Sequence, residues 1–314
     1  MEKKIPLIIV AGATASGKTA LSIELAKKYN GEIVSCDSMQ IYRNLDIGTA
    51  KPTKEEMAQV RHHMIDIVPP QESFSVERYC SMAKGIIQDI YKRGKLPIMV
   101  GGTGLYSDNT VYGTEFAAPK RDEALSEKLR QYAEENGNDA LFEILRKEDY
   151  EASEKLHPND VKRVIRAIET VRATGKSRSE LDRESRPETS PYNYLYIAID
   201  MDRSVLYNRI DKRVDIMLKD GLLEEVEKHI LPDLENISTA LTAIGYREAV
   251  WYFKGICTYD EMVSLLKRNT RRYAKRQLTW LRRNNDVNWL DSKDAFGQAQ
   301  QLIEERILTD ENTD

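Results

Sequence analysis

Short runs of consecutive apolar residues alternate with amphipathic helical patterns over residues 1–118 of the chain. Four runs lack the in–out alternation of a half-solvated strand and therefore predict strands buried on both faces: PLIIVAG, EIVSCD, HHMIDIV and LPIMVGG. The helical pattern between the last two runs has Ser75 as its predicted N-cap and Gly94 as its predicted stop. This alternation predicts an α/β fold with a doubly wound parallel sheet.

The strand pattern is interrupted between residues 119 and 189. Consecutive helical stretches broken at Gly, Asn or Pro fill this interval, and strand patterns return at YLYIAIDMDR and VNWLD. The pattern predicts an inserted all-helical module of residues 119–189 within an α/β core of residues 1–118 and 190–314. The final stretch TDENTD is acidic without apolar residues, so it is expected to fray.

A phosphate-binding loop follows the first predicted strand. The stretch GATASGKT fits the P-loop pattern G-x-x-x-x-G-K-[ST], with backbone N–H groups that form an anion nest and a helix that follows. Lys18 adds a positive charge, and the Thr19 hydroxyl can ligate Mg²⁺ carried by phosphates. The sequence therefore predicts a P-loop NTPase-like core and a di- or triphosphate ligand held by Gly12, Ala13, Thr14, Ala15, Ser16, Gly17, Lys18 and Thr19.

The composition narrows the possible partners and location. A hydrophobic content of 41% with 31% charged residues is typical of a globular protein, and no apolar stretch reaches the length of a membrane span. A net charge of −4 leaves local basic patches as the only electrostatic route to nucleic acid. The three dispersed cysteines predict no disulfide framework and a reducing cytoplasm, and the four histidines show no metal-ligand spacing.

Candidate chemical groups lie at the ends of two predicted strands. Asp37 ends the second apolar run, where a carboxylate can hold Mg²⁺ or accept a proton from a substrate. The structural alternative is that Asp37 caps the following turn, and nearby Gln40 could read a base edge. Gly101 and Gly102 before Thr103 permit close backbone approach or merely a tight turn. This fourth run lacks the terminal Asp of a standard ATPase, which argues against simple nucleotide hydrolysis.

Two helical segments carry clustered cations in this acidic chain. The first contains Lys162, Arg163 and Arg166, and its apolar positions face inward. The second covers residues 267–283 and interleaves Lys and Arg with Tyr, Leu and Trp. Each run alone is typical of a solvated helix face. Two such helices beside a phosphate crevice favour a nucleic-acid track.

A further helical segment places two arginines, Arg209 and Arg213, on one face. Their guanidinium groups could reach a phosphate. The alternative is that they pair with the acidic residues Asp211 and Asp215 of the same helix.

Eight stretches, in order along residues 7–283, resemble the tRNA dimethylallyltransferase family: GATASGKT, SCDSMQIYRNLDIGTAKP, HHMIDIVPP, FSVERY, PIMVGGTGLY, LHPNDVKRVIRAIE, TAIGYRE and RRYAKRQLTWLRR. The P-loop is shared with many kinases, whereas DSMQIYRNLDIGTAKP and TAIGYRE are more particular to this family. The resemblance implies transfer of a dimethylallyl group from dimethylallyl diphosphate to N6 of adenine 37 in tRNA anticodon loops. Nothing in the sequence demands a dimer, so a monomer is expected.

The resemblance implies a diphosphate site with Mg²⁺ as the cofactor. Residues 14–19 are expected to hold the diphosphate, with Lys18 and Thr19 closest and Mg²⁺ on Thr19. Arg213 is expected to reach the diphosphate from its helix. The leaving group of the reaction would then lie in the P-loop.

The resemblance also implies a general base and a tRNA-binding surface for the anticodon stem-loop. Asp37 is expected to accept the proton of adenine N6, and Thr103 to lie near the bridging oxygen of the diphosphate. The helical insertion is expected to clamp the anticodon stem. The residues expected to contact tRNA are Asp37, Ser38, Met39, Gln40, Thr103, Lys162, Arg163, Val164, Ile165, Arg166, Thr242, Ala243, Ile244, Gly245, Tyr246 and Arg247.

One departure from the family follows GGTGLY. Ser107, Asp108 and Asn109 stand where Ile, Gln and a small residue are common. A carboxylate at this point is expected to lie near the substrate tunnel and to disturb the packing of the helix.

Two other classes of function use the same loop. A small-molecule kinase explains the P-loop and the α/β core but leaves the basic helices and the insertion without a purpose. A regulatory nucleotide-binding module would not need Asp37 at a strand end. Salt-sensitive co-purification of tRNA is expected only for the transferase.

Overall fold

The computed structural model describes residues 4–113, 122–177, 180–181, 184 and 189–308. Backbone contacts divide the chain into two compact units, residues 1–111 with 191–314 and residues 112–190. The first unit contains six strands: β1 (Ile5–Ala11), β2 (Gly31–Ser35), β3 (His62–His63), β4 (Leu96–Gly101), β5 (Tyr192–Asp200) and β6 (Val287–Asp291).

Helices connect and cover these strands. The helices of the first unit that precede the insertion are α1 (Lys18–Lys28), α2 (Lys54–Gln59), α3 (Val76–Lys92) and α4 (Gly104–Val111). The second unit contains α5 (Glu123–Asn136), α6 (Asn138–Glu148), α7 (Tyr150–Ser153) and α8 (Val161–Thr174). The first unit then continues with α9 (Arg203–Lys219), α10 (Leu222–His229), α11 (Tyr246–Phe253), α12 (Tyr259–Leu281) and α13 (Ala295–Ile303).

The six strands form one parallel sheet in the order β3-β2-β4-β1-β5-β6. This confirms the predicted α/β fold. Strand β1 lies between β4 and β5, with Ile8 in register with Ile98 on one side and Leu195 on the other. Because the strand order reverses at β1, a crevice opens at its carboxyl end, which is where the P-loop begins.

Both faces of the sheet are covered. Residues 7–10 of β1 are at most 1% exposed, as the unbroken apolar run predicts. On one face, α1 and α13 contribute Leu21, Leu25 and Ile303 to a core with strand residues such as Ile98. On the other face, α3 contacts β1, β2 and β4 and buries its own apolar stripe. The Ser75 N-cap of α3 is confirmed, since its side chain accepts from the Arg78 amide.

The predicted strand HHMIDIV is much shorter than the apolar run. Pairing with β2 covers only His62 and His63, because Met64 and Asp66 adopt left-handed backbone angles of +64° and +56°. Such φ values are incompatible with extended pairing. The rest of the run is a loop in which only Val68 forms a bridge, to Tyr42.

The described residues of the second unit form helices joined by turns and contain no strand. Its core is built from apolar side chains of α5, α6 and α8: Leu129, Ala133, Leu141, Leu145, Val164, Ile165, Ala167 and Ile168. Across the described ranges of both units, no helix combines the length and apolar character that a membrane crossing requires.

Candidate active site

The P-loop turns sharply between β1 and α1. Gly12 and Gly17 have positive φ angles of 146° and 101°, so this path depends on glycine at both ends. Lys18 curls back over the loop and its Nζ donates to the Ala13 carbonyl at 2.7 Å. The Ser16 hydroxyl is buried and has no hydrogen-bond partner among the described residues. The loop therefore holds a cation and an unsatisfied polar group at the carboxyl end of β1.

Asp37 lies two residues beyond the end of β2. Its Oδ1 accepts a hydrogen bond from the Met39 amide at 2.8 Å, so the capping role considered from the sequence is present. Burial raises the pKa of Asp37, while the Met39 amide and the charge of Lys18 act in the opposite direction. A carboxylate with a raised pKa, close to cations in a cavity, is suited to accept a proton.

Thr103 ties the β4–α4 loop to the segment that carries Asp37. Its Oγ1 accepts from the Ser38 amide at 3.2 Å, and its own amide donates to the Cys36 carbonyl at 3.3 Å. A Cβ on Gly101 would lie 1.9 Å from that same Cys36 oxygen, so close backbone approach explains the glycine. The two strand ends are thus held together at their carboxyl edge.

Arg213 points at the P-loop. Its Nη1 donates to Thr14 Oγ1 at 3.5 Å and its Nη2 to the Ala50 carbonyl at 3.4 Å. The alternative pairing within the same helix does not occur, because Asp211 binds Arg271 at 2.5 Å and Asp215 binds Lys267 at 2.6 Å.

The charge of Arg213 adds to burial in lowering the pKa of Lys18 to about 8. An anion bound between Lys18 and Arg213 would offset the repulsion between these two cations. Arg209 is also close to the loop, since a guanidinium nitrogen lies 4.0 Å from the position of a Cβ on Gly17.

A cavity of about 340 Å³ joins these groups. Lys18, Asp37 and Arg213 line it, whereas Thr103 contacts Asp37's neighbour Ser38 without lining the cavity. Apolar side chains complete the wall: Ile33, Val100, Ile210, Val214, Met217, Ile244 and Leu266. The cavity therefore combines a charged end with an apolar wall.

Several residues predicted to contact tRNA lie around this cavity. The lining includes Ser38, Met39, Gln40, Thr242, Ala243 and Ile244. Both ends of the Gln40 amide are used within the protein: its Oε1 accepts from Ser35 Oγ at 2.9 Å and its Nε2 donates to the Ala50 carbonyl at 3.2 Å. In this arrangement Gln40 fixes the shape of the lining.

The adjoining TAIGYR segment is divided between core and surface. Tyr246 is fully buried, and its hydroxyl donates to Glu225 at 2.8 Å. Gly245 is buried as well and is the N-cap of α11, whereas the Arg247 side chain is 44% exposed and pairs with Glu248. Within this segment, the Arg247 side chain is exposed enough to contact a macromolecule. The buried Tyr246 instead packs inside the protein.

Helix α8 of the second unit shows a similar division. Lys162 and Arg163 are exposed, and Arg163 pairs with Asp160 at 3.1 Å. Val164 and Ile165 are buried in the core of the unit. Arg166 is half-buried and pairs with the buried Glu169 at 3.3 Å, so the basic face consists of three side chains.

The inner face of α12 contributes functional residues that the sequence pattern does not indicate. Tyr273, Arg276 and Gln277 line the cavity, and Gln277 is 6% exposed. A polar residue on the apolar stripe formed by Leu266, Ala274 and Leu281 is the signal that could have identified it, because buried polar groups need partners. In the sequence, the surrounding Lys and Arg residues dominate this helix.

The residues around the P-loop fit a magnesium ion delivered by a diphosphate. Thr19 lines the cavity close to Lys18, and the described residues contain no cluster of three or more His, Cys, Asp or Glu. Mg²⁺ commonly binds through few protein ligands together with phosphate oxygens and water. The unpartnered Ser16 hydroxyl supplies a further oxygen in the same loop.

The unusual Ser107-Asp108-Asn109 stretch is accommodated in α4. The buried Ser107 hydroxyl lies 2.8 Å from the Tyr196 hydroxyl, and Asp108 accepts from Tyr196 at 3.3 Å and from the Trp280 indole at 2.7 Å. Neither Ser107 nor Asp108 lines the cavity. The expected disturbance of the helix does not occur because polar partners on β5 and α12 satisfy both side chains.

Known proteins that are similar to this chain in sequence and fold form a consistent group. The tRNA dimethylallyltransferase of Acetivibrio thermocellus is 48% identical over 297 residues, which is 95% of each chain. That of Bacillus pumilus is 46% identical over 288 residues, 92% of this chain and 90% of the relative.

Solved structures agree with these relatives. A full-length tRNA isopentenylpyrophosphate transferase from Bacillus halodurans superimposes with a TM-score of 0.74 at 41% identity and 98% coverage of both chains. A eukaryotic dimethylallyltransferase acting on tRNA gives a TM-score of 0.82 at 30% identity, covering 98% of this chain and 80% of its own. Residues 40–284 match the sequence model described as IPP transferase. The chain belongs to the IPP transferase family.

Proposed function

We propose that this protein transfers a dimethylallyl group from dimethylallyl diphosphate to N6 of adenine 37 in the anticodon loop of tRNA, releasing diphosphate. The observation that carries the proposal is the cavity that Lys18, Arg213 and Asp37 share. Two cations at the P-loop suit a leaving diphosphate, and a carboxylate in the same cavity suits the proton of an amine. The family and its tRNA-directed relatives support the same reaction.

The P-loop residues act on the leaving group. As the allylic C–O bond breaks, negative charge develops on the diphosphate and positive charge on the allylic carbon. The P-loop amides and the cations Lys18 and Arg213 stabilise the developing negative charge. Because these groups are already in place, little reorganisation is needed as the charge appears.

Asp37 acts on the nucleophile. The N6 lone pair is delocalised into the adenine ring, so N6 is a weak nucleophile. As the N6–carbon bond forms, the N6 proton passes to the Asp37 carboxylate, and the product amine stays neutral. The raised pKa of Asp37 brings it closer to that of the group it deprotonates.

Mg²⁺, when bound, would neutralise part of the diphosphate charge. Thr19 would hold it through its hydroxyl, and Ser16 would offer its buried hydroxyl to a diphosphate oxygen. In this arrangement a neutral hydroxyl oxygen would bind the metal, and the cations Lys18 and Arg213 would bind the diphosphate.

The apolar wall protects the reaction from water. Ile210, Val214 and Met217 lie on one face of α9 beside Arg213, so an apolar chain attached to the diphosphate finds an apolar surface. Exclusion of water matters because water would capture an allylic cation. The adenine reaches this cavity only after it leaves the base stack, which an anticodon loop permits at low cost.

We assign tRNA contacts to both units. In the helical unit, the basic side chains of α8 are Lys162, Arg163 and Arg166. In the α/β unit, Arg247 and the outer face of α12 contribute further cations. The cavity lining supplied by this chain supports a monomer, and tRNA as the substrate supports a cytoplasmic location.

The proposal is tested by incubating the protein with Mg²⁺, radiolabelled dimethylallyl diphosphate and unmodified tRNA. We expect label on adenine 37, and we expect Asp37→Ala to lower the rate by about 10²–10⁴-fold through loss of the base. Asp37→Asn is the matched variant, because it keeps the shape of the side chain and removes the proton acceptor.

A second incubation replaces dimethylallyl diphosphate and tRNA with ATP and a small acceptor, and it tests whether the protein is a kinase. Phosphoryl transfer without prenyl transfer would replace the proposal with a kinase. Prenyl transfer at an unchanged rate in both Asp37 variants would leave the reaction standing and remove Asp37 as its base.

A further inference from the structure

We propose that Gln277 is a positioning residue for this reaction, because its single amide joins the P-loop to the β4–α4 loop, which in turn contacts the segment that carries Asp37. The inference rests on the proposed function. It concerns a side chain on α12 that none of the expected site roles includes.

Gln277 makes one hydrogen bond to the P-loop and one to the β4–α4 loop. Its Oε1 accepts from the Thr14 amide at 2.9 Å, inside the P-loop. Its Nε2 donates to the Gly102 carbonyl at 3.0 Å, at the end of β4. The side chain is 6% exposed and lines the cavity. An N–H on one side and a carbonyl on the other fix which end of the amide faces which loop.

Only a carboxamide satisfies both partners. A carboxylate would bring two acceptors together at the Gly102 carbonyl, and an apolar side chain would leave the partly buried Thr14 N–H and Gly102 carbonyl without this partner. The contact is also tight, since a Cβ on Gly102 would lie 1.9 Å from Gln277 Nε2. The glycine and the glutamine therefore form a matched pair.

The two hydrogen bonds connect the loop assigned to the leaving group with the loop that contacts the base-bearing segment. Thr14 belongs to the loop that holds the diphosphate, and its hydroxyl also accepts from Arg213. Gly102 precedes Thr103, whose Oγ1 accepts from the Ser38 amide directly after Asp37. A shift of Gln277 consequently changes the distance between the leaving group and the base. Proximity of this kind is a sensitive contribution to catalysis.

The first experiment compares Gln277→Leu and Gln277→Glu with the unchanged protein in steady-state prenyl transfer. We expect Gln277→Leu to lower kcat and raise the KM for dimethylallyl diphosphate, each by about tenfold, while the KM for tRNA changes by less than about twofold. Gln277→Glu keeps the acceptor for Thr14 and is expected to recover part of the KM and little of kcat. Calorimetric binding of inorganic diphosphate with Mg²⁺ provides a readout that does not depend on turnover.

Asn269→Leu is the matched control. Asn269 is an amide on the same helix that donates to the buried Glu248 at 2.7 Å, and it does not line the cavity. We expect it to lower Tm without changing the KM for dimethylallyl diphosphate. Equal loss of Tm in the two leucine variants with a kinetic change only in Gln277→Leu separates positioning from general destabilisation.

A double-mutant cycle with Gly102→Ala tests the contact itself. The alanine Cβ is expected to displace Gln277 and to reproduce the kinetic loss of Gln277→Ala. In the double variant the clash is gone, so the second substitution is expected to cost less than about twofold. Full additivity of the two losses would contradict the proposed pair.

The outcomes distinguish this inference from the function on which it depends. No prenyl transfer by the unchanged protein would remove the proposed function. Transfer by the unchanged protein with unaltered kcat, KM and diphosphate affinity in folded Gln277→Leu would overturn the inference alone.

Discussion

Helices α8 and α12 are both basic in sequence, yet they serve their units differently. Lys162 and Arg163 of α8 face solvent, Arg166 is half-buried against Glu169, and the inner face is apolar apart from the buried Glu169 and Thr170. Helix α12 binds Asp211 and Asp215 with two of its cations and turns Tyr273, Arg276 and Gln277 into the cavity. The number of charges is therefore a poor guide to chemistry. A neutral amide on the inner face of α12 connects more of the candidate site than the arginines around it.

The largest effect is expected for a charge inside the cavity. Arg213→Ala removes a cation directed at the P-loop, so kcat/KM for dimethylallyl diphosphate is expected to fall by about 10²–10³-fold. Binding of tRNA, measured by filter retention, is expected to stay within about twofold. Lys212→Ala is the control, because it removes an exposed cation from the position directly before Arg213 in the same helix. If both variants lost activity equally, the distinction between cavity charge and surface charge would be wrong.

A smaller effect is expected from titration of the cavity. Burial and Arg213 lower the pKa of Lys18 to about 8, so its cation is present below that pH and is lost above it. Because burial raises the pKa of Asp37, the base is lost as the pH falls. The pH profile of kcat/KM for dimethylallyl diphosphate is expected to be bell-shaped, with its alkaline limb near pH 8. Lys18→Arg keeps its charge and should move that limb upward, whatever its overall rate.

The smallest effect is expected on α8. Lys162→Ala removes one exposed cation of the helical unit, so it is expected to raise the Kd for tRNA a few-fold and to reduce the slope of log K against log salt by about 1. The KM for dimethylallyl diphosphate is expected not to change. An altered KM for this substrate would show that α8 influences the cavity, and the contrast with α12 would fail.

Most of the fold could be predicted from the sequence because its signals are local. Buried parallel strands are continuous apolar runs, and all six expected strands appear where the runs lie, although the strand in HHMIDIV covers only His62 and His63. The run HHMIDIV predicts too long a strand, because the left-handed backbone at Met64 and Asp66 cannot be recognised from the pattern of apolar residues. Tertiary context decides such positions.

The residues of the candidate site also fall into two groups, those that local sequence signals mark and those that depend on distant partners. The P-loop, Asp37 and Arg213 could be identified because motif, strand end and family resemblance all mark them. Gln277 could not, since its role depends on two partners distant in sequence. The polar network of Ser107 and Asp108 was misjudged for a similar reason, because Tyr196 and Trp280 supply hydrogen bonds that no local pattern reveals.

The bond from Gln277 to Thr14 also bears on how the protein is made. The two residues joined by this bond are 263 positions apart in the sequence. Both edges of β1 are paired only after β5 has been synthesised. At roughly 5–20 residues per second, a ribosome needs on the order of tens of seconds to extend the chain from one end of this bond to the other. During that interval the nascent phosphate loop lacks its anchor. The earliest motif in the chain is thus one of the last parts of the cavity to be completed.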